Sequence, residues 1–333
     1  MLLNHECLFV LVLACLIDFI IGDPAYAFHP VRLIGNAISV FENFLRNNGI
    51  TGVLGGLFLF ILVITSTLGA YLTLHFLASF IHPFIIIGLN IYVVYSCFAF
   101  RDLINHIKPI VSALTDGEML YARQRVSRVV GRDVSQMDSY QVARAAIETV
   151  AENFIDGILS PLFWYAIGTV VGSYVMGRGC EAGVVGMLLF KAVSTMDSMV
   201  GYRNRDYEKL GKTGARVDDV MNFIPARLSI IPLSLASFVI GQNTIMGIKI
   251  FFRDRLKHLS PNSAHGESFI AGALNIRLGG PSKYQGKEVS KPWLGDGSEK
   301  VPPEKVSLSC RLIFYATLIS IVFALLVIEL LRR

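Results

Sequence analysis

The sequence lacks the cysteine pairs that indicate a zinc site or a disulfide framework. Its five cysteines (Cys7, Cys15, Cys97, Cys180 and Cys310) are scattered, and no Cys-x-x-Cys pair occurs. The sequence also has no Walker-type Gly-x-x-x-x-Gly-Lys loop, no Gly-x-Ser-x-Gly motif and no dinucleotide fingerprint. A nucleotide that binds this chain is therefore expected to bind outside those familiar motifs.

Charged residues are scarce, at 17% of the chain, whereas 53% of the residues are hydrophobic. The net charge of +5 is modest and is better explained by basic cytoplasmic loops than by a nucleic-acid partner, which we do not expect. Several apolar runs approach the ~20 residues that a helix needs to cross a bilayer. This pattern predicts an all-α, polytopic membrane helical bundle in contact with membrane lipid, with residues 1–333 forming a single membrane-embedded domain. The candidate spans are 2–21, 53–77, 80–100, 158–176, 183–196, 228–250 and 308–331.

The N-terminal apolar run resembles a signal peptide, because 25–27 (Ala-Tyr-Ala) looks like a cleavage site. A signal peptide begins with a cationic region, but no Lys or Arg precedes Arg32, so a retained helix is expected. Basic loops elsewhere are predicted to be cytoplasmic. The segment 249–307 holds ten Lys or Arg, yet a single crossing at 228–250 would place it outside. Either the chain re-enters on the same side there, or one of the weaker candidates does not span.

Residues 101–157 are predicted to form a cytoplasmic helical insertion. The sequence indicates a basic helix over 118–130 and a further helix from about Asp138, with Asp138 or Ser139 as its cap. Gly157 is expected to end that helix, and 279–305 is expected to be a loop because it is rich in Gly, Pro, Lys and Ser.

Four polar residues recur at intervals of four in this oily chain: Arg144, Glu148, Glu152 and Asp156. On a helix they would form one stripe, because residues four apart have Cβ atoms about 5–6 Å from each other. Carboxylates this close repel one another unless a cation, a proton or a metal ion lies among them. The stripe, with Asn153 beside it, therefore indicates a metal or phosphate site, and the alternative is a solvated helix face.

Further polar clusters punctuate the chain. Lys191 and Asp197 lie beside an apolar run, where ionisable groups are candidates for function, although the end of a helix at a membrane surface explains them equally well. The adjacent Asp218 and Asp219, with Asn222 following, suit an oxygen-only Mg²⁺ site. Other candidates are the arginines that flank this pair, Arg216 and Arg227, and Asn262 in a turn-like Ser-Pro-Asn. Three more polar candidates follow the first apolar run: Asp23, His29 and Arg32.

These clusters, in this order, resemble the CobD/CbiB family of cobalamin biosynthesis, which are membrane-associated adenosylcobinamide-phosphate synthases. The resemblance covers nearly the whole chain. The segments that carry it are 23–35, 122–133, 144–157, 161–163, 195–202, 215–227, 260–262, 271–274, 277–281 and 284–286. The chain departs from the family pattern at Ser194, where Asn is usual, and at 264–266, where Ala-His-Gly replaces Gly-Trp-Pro.

The resemblance implies a multi-pass protein of the cell membrane with a cytoplasmic active site. It implies ligation of aminopropanol, as its O-phosphate, to the free propionate carboxylate of adenosylcobyric acid, with ATP and Mg²⁺ as cofactors. Association with other late corrinoid-pathway membrane enzymes is also expected. The sequence fits this chemistry, because making an amide requires an activated carboxyl group, a metal to neutralise ATP and cations to hold the phosphoryl group.

On this interpretation the polar clusters take candidate roles. The catalytic candidates are Glu148, Glu152, Asp197 and Asp218, one of which would be the general base. The Mg²⁺ candidates are Glu148, Glu152, Asp156, Asp218 and Asp219. The candidates for binding substrate or phosphate are Arg32, Arg123, Arg144, Asn153, Lys191, Arg216, Asn222, Arg227 and Asn262. Replacing Glu148 or Asp218 with Ala is predicted to abolish activity while leaving membrane insertion intact.

Two other classes of function compete with the ligase. Charges within apolar runs are also found in membrane transporters, and a non-catalytic, AmpE-like membrane sensor is thought to resemble this family distantly. The polar clusters lie mainly at span ends and in loops, which argues against a permeation path. The density of acids, arginines and asparagines favours catalysis over sensing.

Overall fold

The computed structural model of the chain describes residues 5–22, 24, 26–202, 206–284 and 286–331. These residues form fourteen α-helices, one π-helical turn and four very short strands, which confirms the prediction of a helical protein. The helices are α1 (Glu6–Ile21), α2 (Pro30–Asn47), α3 (Gly52–Ser79), α4 (Pro83–Cys97), α5 (Phe100–Thr115), α6 (Met119–Val126), α7 (Ser139–Phe154), α8 (Ser160–Met176), α9 (Gly179–Val200), α10 (Lys212–Leu228), α11 (Ile230–Val239), α12 (Thr244–Asp254), α13 (Ala264–Leu274) and α14 (Pro303–Leu331). The strands are β1 (Leu278–Gly279), β2 (Ser282–Tyr284), β3 (Lys287–Val289) and β4 (Trp293–Leu294).

Within the part of the chain that the structure describes, six helical segments are long and apolar enough to cross a membrane, so the chain is a multi-pass membrane protein. They are Gly52–Ser79, Pro83–Thr115, Ser139–Met176, Gly179–Val200, Lys212–Val239 and Pro303–Leu331. Four of the seven candidate spans fall within these segments, and a fifth, 80–100, begins three residues before the segment Pro83–Thr115. The candidate span 2–21 corresponds to α1, a helix of 16 residues that is not among the six, and residues 1–4 lie outside the described residues.

The candidate span 228–250 is not one helix. The chain leaves α11 at Val239 and begins α12 at Thr244, with Gly241 between them at φ +69°. Glycine adopts this left-handed conformation without the steric penalty of a side chain, so the chain can turn here. The long apolar segment in this region instead starts earlier, at Lys212.

Gly157 does not end the helix that begins near Asp138. A π-helical turn, Ile155–Leu159, follows α7 directly and leads into α8. Such a turn continues the helical path with one wider loop of backbone and is frequent at functional sites. The predicted insertion 101–157 is therefore joined to the next apolar helix without a break at Gly157.

The chain divides into two compact units. The first unit comprises Met1–Ala99, Ser160–Met221 and Phe323–Arg333, and the second comprises Phe100–Leu159 and Asn222–Val322.

In the first unit, α8 and α9 pack closely because glycines line their interface. A Cβ added at Gly168 would lie 2.4 Å from the Ala182 carbonyl oxygen, and one at Gly183 would lie 2.2 Å from Thr169 Oγ1. Small residues at such spacing let helix backbones approach each other, which is how helices associate in a bilayer where no hydrophobic driving force acts between them.

In the second unit, α13 is the central helix, and all eleven of its residues are buried. It packs on α12, where a Cβ at Gly247 would meet the Phe269 ring at 2.9 Å. The buried Asp254 at the end of α12 is bonded to Arg253 and Lys257 and accepts a hydrogen bond from the Gly295 N–H at 2.9 Å. These contacts fasten the segment after β4 to α12.

The segment predicted as a loop, 279–305, contains short antiparallel strands within the second unit. β1 pairs with β4, and β2 pairs with β3 across the turn at Gly286. This small β region lies against α7 and α13, where it contributes backbone and side chains to the candidate site.

Candidate functional site

The candidate site of the second unit begins with the helix start that the sequence predicts at Asp138. The Asp138 carboxylate accepts the Gln141 N–H at 2.7 Å, and the Gln141 side chain accepts the Asp138 N–H at 2.9 Å. This reciprocal capping box satisfies two backbone donors that a helix start otherwise leaves unpaired. The prediction is confirmed, and the cap fixes where α7 begins and so where Arg144 and Glu148 lie.

Glu148 anchors the middle of the site. One carboxylate oxygen accepts a hydrogen bond from the Gly279 N–H at 2.8 Å, and the other pairs with the guanidinium of Arg132. Both side chains of the ion pair are only 10% exposed. Arg132 also donates a hydrogen bond to Ser282 Oγ at 3.0 Å. Glu148 therefore ties α7, the loop before α7 and the β region together.

A glycine turn presents the Gly279 N–H to Glu148. Gly279 and Gly280 have φ values of +77° and +76°, which other residues adopt only with strain. A Cβ at Gly280 would lie 2.4 Å from the Trp293 ring, so no larger residue fits there without displacing the ring. The Gly-Gly-Pro sequence is thus required by the close approach of the turn to Trp293 as well as by its backbone conformation.

Arg144 extends the site toward the start of α7. Its guanidinium lies over the Trp293 ring at 5.0 Å from the centroid and donates a hydrogen bond to the Glu299 carbonyl oxygen at 2.9 Å. A stacked guanidinium keeps further N–H donors in a fixed plane, a geometry that suits phosphate or carboxylate oxygens.

A polar cleft of about 210 Å³ opens beside these residues, and we call it the cation cleft. Three cations line it: Arg132, Arg144 and Lys283. Two carboxylates, Asp133 and Glu288, lie at the same cleft. The cleft has the charges to hold an anion and, on its acidic part, a cationic group.

Glu267 is buried on α13 and forms a group of three carboxyl groups with Glu148 and Glu152. Burial, together with the charges of Glu148 and Glu152, raises the pKa of Glu267 well above its ordinary value. The folded protein therefore favours the protonated form of Glu267 more than the unfolded chain does. Glu152, in contrast, has an exposed side chain.

The residues of the predicted stripe, and Asn153 beside it, differ in how exposed they are. Glu148 is buried in its ion pair, Glu152 and Asn153 are exposed, and Asp156 on the π-helical turn is half-buried. Asn153 donates a hydrogen bond to the Thr149 carbonyl oxygen of its own helix. Among the residues that the structure describes, no group of three or more His, Cys, Asp or Glu is arranged to hold a metal ion.

The other candidates of the second unit lie on different elements. Arg123 on α6 donates a hydrogen bond to the Met137 carbonyl oxygen at 2.7 Å, which fastens the loop before α7. Arg227 donates to the Phe223 carbonyl oxygen of its own helix, and Asn222 is buried nearby on α10. Asn262 is buried before α13, where its carbonyl oxygen accepts from His265.

His265 stands where the family pattern has Trp, and it is buried against Phe251. Burial and the nearby Arg227 guanidinium lower the pKa of His265 to about 4, so its imidazole is neutral at physiological pH.

The remaining candidates belong to the first unit. Asp197 on α9 and Asp219 on α10 lie close enough for their carboxylates to interact electrostatically. The end of α9 approaches α10 tightly, since a Cβ at Gly214 would lie 3.1 Å from Met196 Sδ. The other candidates of this unit are exposed or half-buried: Arg32, Lys191, Arg216 and Asp218. Asp23, a further candidate, lies outside the described residues.

Sequence reasoning assigned no role to Arg132, Glu267 or Lys283. Arg132 lies in a segment that carries the family resemblance and Glu267 lies on α13, yet nothing in their local spacing indicates that either is near Glu148. The partner of Glu148 lies 16 positions before it across an irregular loop, and Gly279 lies 131 positions after it. A pattern within one helix cannot show such contacts.

Comparisons with known proteins extend these observations. The family model described as CobD/Cbib protein matches residues 11–313. This chain belongs to the CobD/CbiB family. Cobalamin biosynthesis protein CobD of Pelobacter propionicus is 40% identical over 325 residues, covering 97% of this chain and 96% of that protein. The CobD of Citrobacter koseri is 38% identical over 312 residues, and the cobalamin biosynthesis protein CbiB of Salmonella typhimurium is 36% identical over 312 residues, each covering 93% of both chains.

No solved structure matches the chain. The relatives share the description of cobalamin biosynthesis protein, and this supports a role in cobalamin biosynthesis for the CobD/CbiB member described here.

Proposed function

We propose that this protein is an amide-forming ligase that joins aminopropanol O-phosphate to the free propionate carboxylate of adenosylcobyric acid, with ATP as the energy source. Family membership supports a role in cobalamin biosynthesis, and the resemblance of the polar motifs supports the reaction. The proposal places the reaction at a membrane-embedded protein, with its polar site on the cytoplasmic side.

The observation that carries the proposal is the juxtaposition of three carboxyl groups with a cation-lined cleft in one compact unit. Glu148, Glu152 and Glu267 lie near one another, and Arg132 bridges Glu148 to the cleft. A ligase of this class must hold phosphate oxygens and accept a proton from an amine. Cations and carboxylates side by side are suited to those two tasks.

The reaction has two bond exchanges. A carboxylate oxygen of the substrate bonds to the terminal phosphorus of ATP, and ADP leaves. The amine nitrogen then bonds to the carbonyl carbon, phosphate leaves with the carboxylate oxygen, and the amine proton passes to a base. Glu152 is the candidate base in this unit, because it is the exposed carboxylate of the three.

The residues of this unit also fit Mg²⁺ in a restricted way. Mg²⁺ is usually held by one or two protein carboxylates, with waters and substrate phosphates completing its six ligands. Asp156 lies one helical turn after Glu152 and is less buried than the ion-paired Glu148 side chain, so Asp156 is the candidate ligand here. Mg²⁺ supplies neutralisation of the phosphate charge when bound with ATP. Glu148 holds Arg132 and the Gly279 N–H, which makes it a positioning residue in this proposal.

The test uses the full-length protein purified in detergent or reconstituted in lipid. Adenosylcobyric acid, aminopropanol O-phosphate and ATP with Mg²⁺ are expected to yield a corrinoid amide and ADP in equal amounts. Absence of both products from protein that is folded and monodisperse would contradict the proposal. Uptake of the corrinoid into proteoliposomes without ATP turnover would support a transporter instead.

A further inference from the structure

Apart from Arg144, the residues that line the cation cleft do not belong to the predicted stripe. It lies at the start of α7 and at β2 and β3, and its cations come from three separate segments: Arg132, Arg144 and Lys283. Ser282 adds a hydroxyl group, and Asp133 and Glu288 add two carboxylates. We propose that the cation cleft is the subsite for a small phosphate monoester that also carries an amine, with the cations on its phosphate and the carboxylates on its ammonium group.

The size of the cleft limits the ligand. Its volume of about 210 Å³ is below the roughly 300 Å³ at which pockets for drug-sized ligands begin. A nucleoside triphosphate exceeds this volume, whereas a phosphate monoester of a three-carbon amino alcohol is a far smaller molecule. The volume therefore suits an amino-alcohol phosphate, whereas a nucleoside triphosphate would extend beyond the cleft.

The cations are held in place before a ligand arrives. Arg132 is fixed by its pair with Glu148 and its hydrogen bond to Ser282, and Arg144 is fixed by the Trp293 ring and the Glu299 carbonyl oxygen. Guanidinium groups that are already oriented lose little freedom on binding phosphate oxygens. Lys283 differs, because it is an exposed ammonium group on β2.

The acidic part of the cleft is also built into the fold. The Asp133 carboxylate accepts the Gly286 N–H at 2.7 Å, and the Asp133 N–H donates to the Lys283 carbonyl oxygen at 2.8 Å. Glu288 pairs directly across the β2–β3 hairpin from Lys283. One hairpin thus presents both signs of charge at the cleft, which matches a zwitterionic ligand and disfavours a purely anionic one.

This inference rests on the proposed function for the identity of the ligand, and its test measures binding separately from catalysis. Titration calorimetry of the full-length protein in detergent would compare aminopropanol O-phosphate, aminopropanol, inorganic phosphate and ATP. Lys283→Ala is the main variant, because Lys283 is exposed and its loss leaves the buried contacts intact. Lys300→Ala is the matched control, since Lys300 is exposed on the same segment outside the cleft.

Lys283→Ala is expected to weaken binding of aminopropanol O-phosphate by about tenfold or more, as for loss of a charge-assisted contact. Its affinity for ATP is expected to stay unchanged, and Lys300→Ala should match the wild type for every ligand. Glu288→Gln should weaken aminopropanol O-phosphate while leaving inorganic phosphate unaffected.

Two results would overturn the inference. One is an affinity of Lys283→Ala for aminopropanol O-phosphate equal to that of the wild type, and the other is weakened ATP binding instead, which would assign the cleft to the nucleotide. Binding of the amino-alcohol phosphate that depends on Lys283, in a protein that forms no amide, would uphold the subsite and reject the proposed reaction. The two proposals therefore fail separately.

Discussion

Glu148 accepts a hydrogen bond from the Gly279 N–H and pairs with Arg132, although both side chains of the pair are nearly buried. Removing one partner of such a pair leaves a buried charge without compensation, at a cost of about 3–5 kcal/mol. Replacing both partners with apolar residues of similar volume is often close to neutral. Loss of either side chain alone is therefore expected to lower the free energy of unfolding more than replacement of both.

A double-mutant cycle tests this role. Arg132→Met and Glu148→Met are each expected to lower the free energy of unfolding by about 3–5 kcal/mol, whereas the double variant loses less than the sum. Chemical unfolding of the detergent-solubilised protein would give these values. Additive losses would show that the two side chains are not coupled. The double variant is expected to remain inactive, because Glu148 also positions the cation cleft.

Glu267 predicts a pH dependence of stability. Burial and the neighbouring carboxylates raise its pKa in the folded protein above the ordinary value of 4.5. Because the unfolded chain ionises first as the pH rises, the folded state loses stability from about pH 4.5 up to the raised pKa. Glu267→Gln mimics the protonated carboxyl group and removes this loss.

The thermal unfolding midpoint of Glu267→Gln should therefore exceed that of the wild type at neutral pH, and the difference should vanish toward about pH 4.5. Glu208→Gln serves as the control, since Glu208 is exposed. A difference between Glu267→Gln and the wild type that is the same at every pH would contradict the raised pKa of the buried Glu267.

At the scale of elements, two glycines allow a matched comparison: Gly280 in the turn before β2, and Gly286 in the turn between β2 and β3. Gly280 and Gly286 have nearly equal φ values of +76° and +75°. A Cβ at Gly280 would lie 2.4 Å from the Trp293 ring, whereas a Cβ at Gly286 would meet nothing within 4 Å. Gly286→Ala should therefore show backbone strain alone, about 1–2 kcal/mol. Gly280→Ala should lose more, and it should also weaken ligand binding because Arg144 stacks on Trp293.

Unfolding free energies and ligand affinities of the two alanine variants would decide this prediction. Equal stability losses, with unchanged affinities in both, would show that the contact between the turn and Trp293 does not organise the site.

The sequence predicted helix boundaries well where the residue that fixes the boundary lies within a few positions of it. Asp138 caps α7 as predicted, because a capping residue satisfies donors only three positions away. The predicted end at Gly157 was wrong, and the candidate span 228–250 contains two helices, α11 and α12. A π-helical turn bridges Gly157, and Gly241 turns the chain where hydropathy stays high. Hydropathy reports burial, and it does not show where a helix bends.

At the scale of the whole molecule, the long apolar runs of the sequence predicted a multi-pass helical protein, and six apolar helical segments among the described residues confirm it. The site was harder to predict. Arg144 and Glu148 stood out through their spacing, but Arg132, Glu267 and Gly279 meet Glu148 only after residues far apart in sequence fold together. The candidates Asp197, Asp218 and Asp219 belong to the first unit, and their role in the reaction stays a prediction.

The central claim is that a substrate carboxylate is activated by ATP before the amine attacks it. The most direct measurement follows heavy oxygen from the labelled carboxylate of adenosylcobyric acid in a reaction with ATP, Mg²⁺ and aminopropanol O-phosphate. The account predicts one labelled oxygen in the released inorganic phosphate for each amide formed, detected by mass spectrometry. Amide formation with no label in phosphate, or no amide from folded protein, would contradict it.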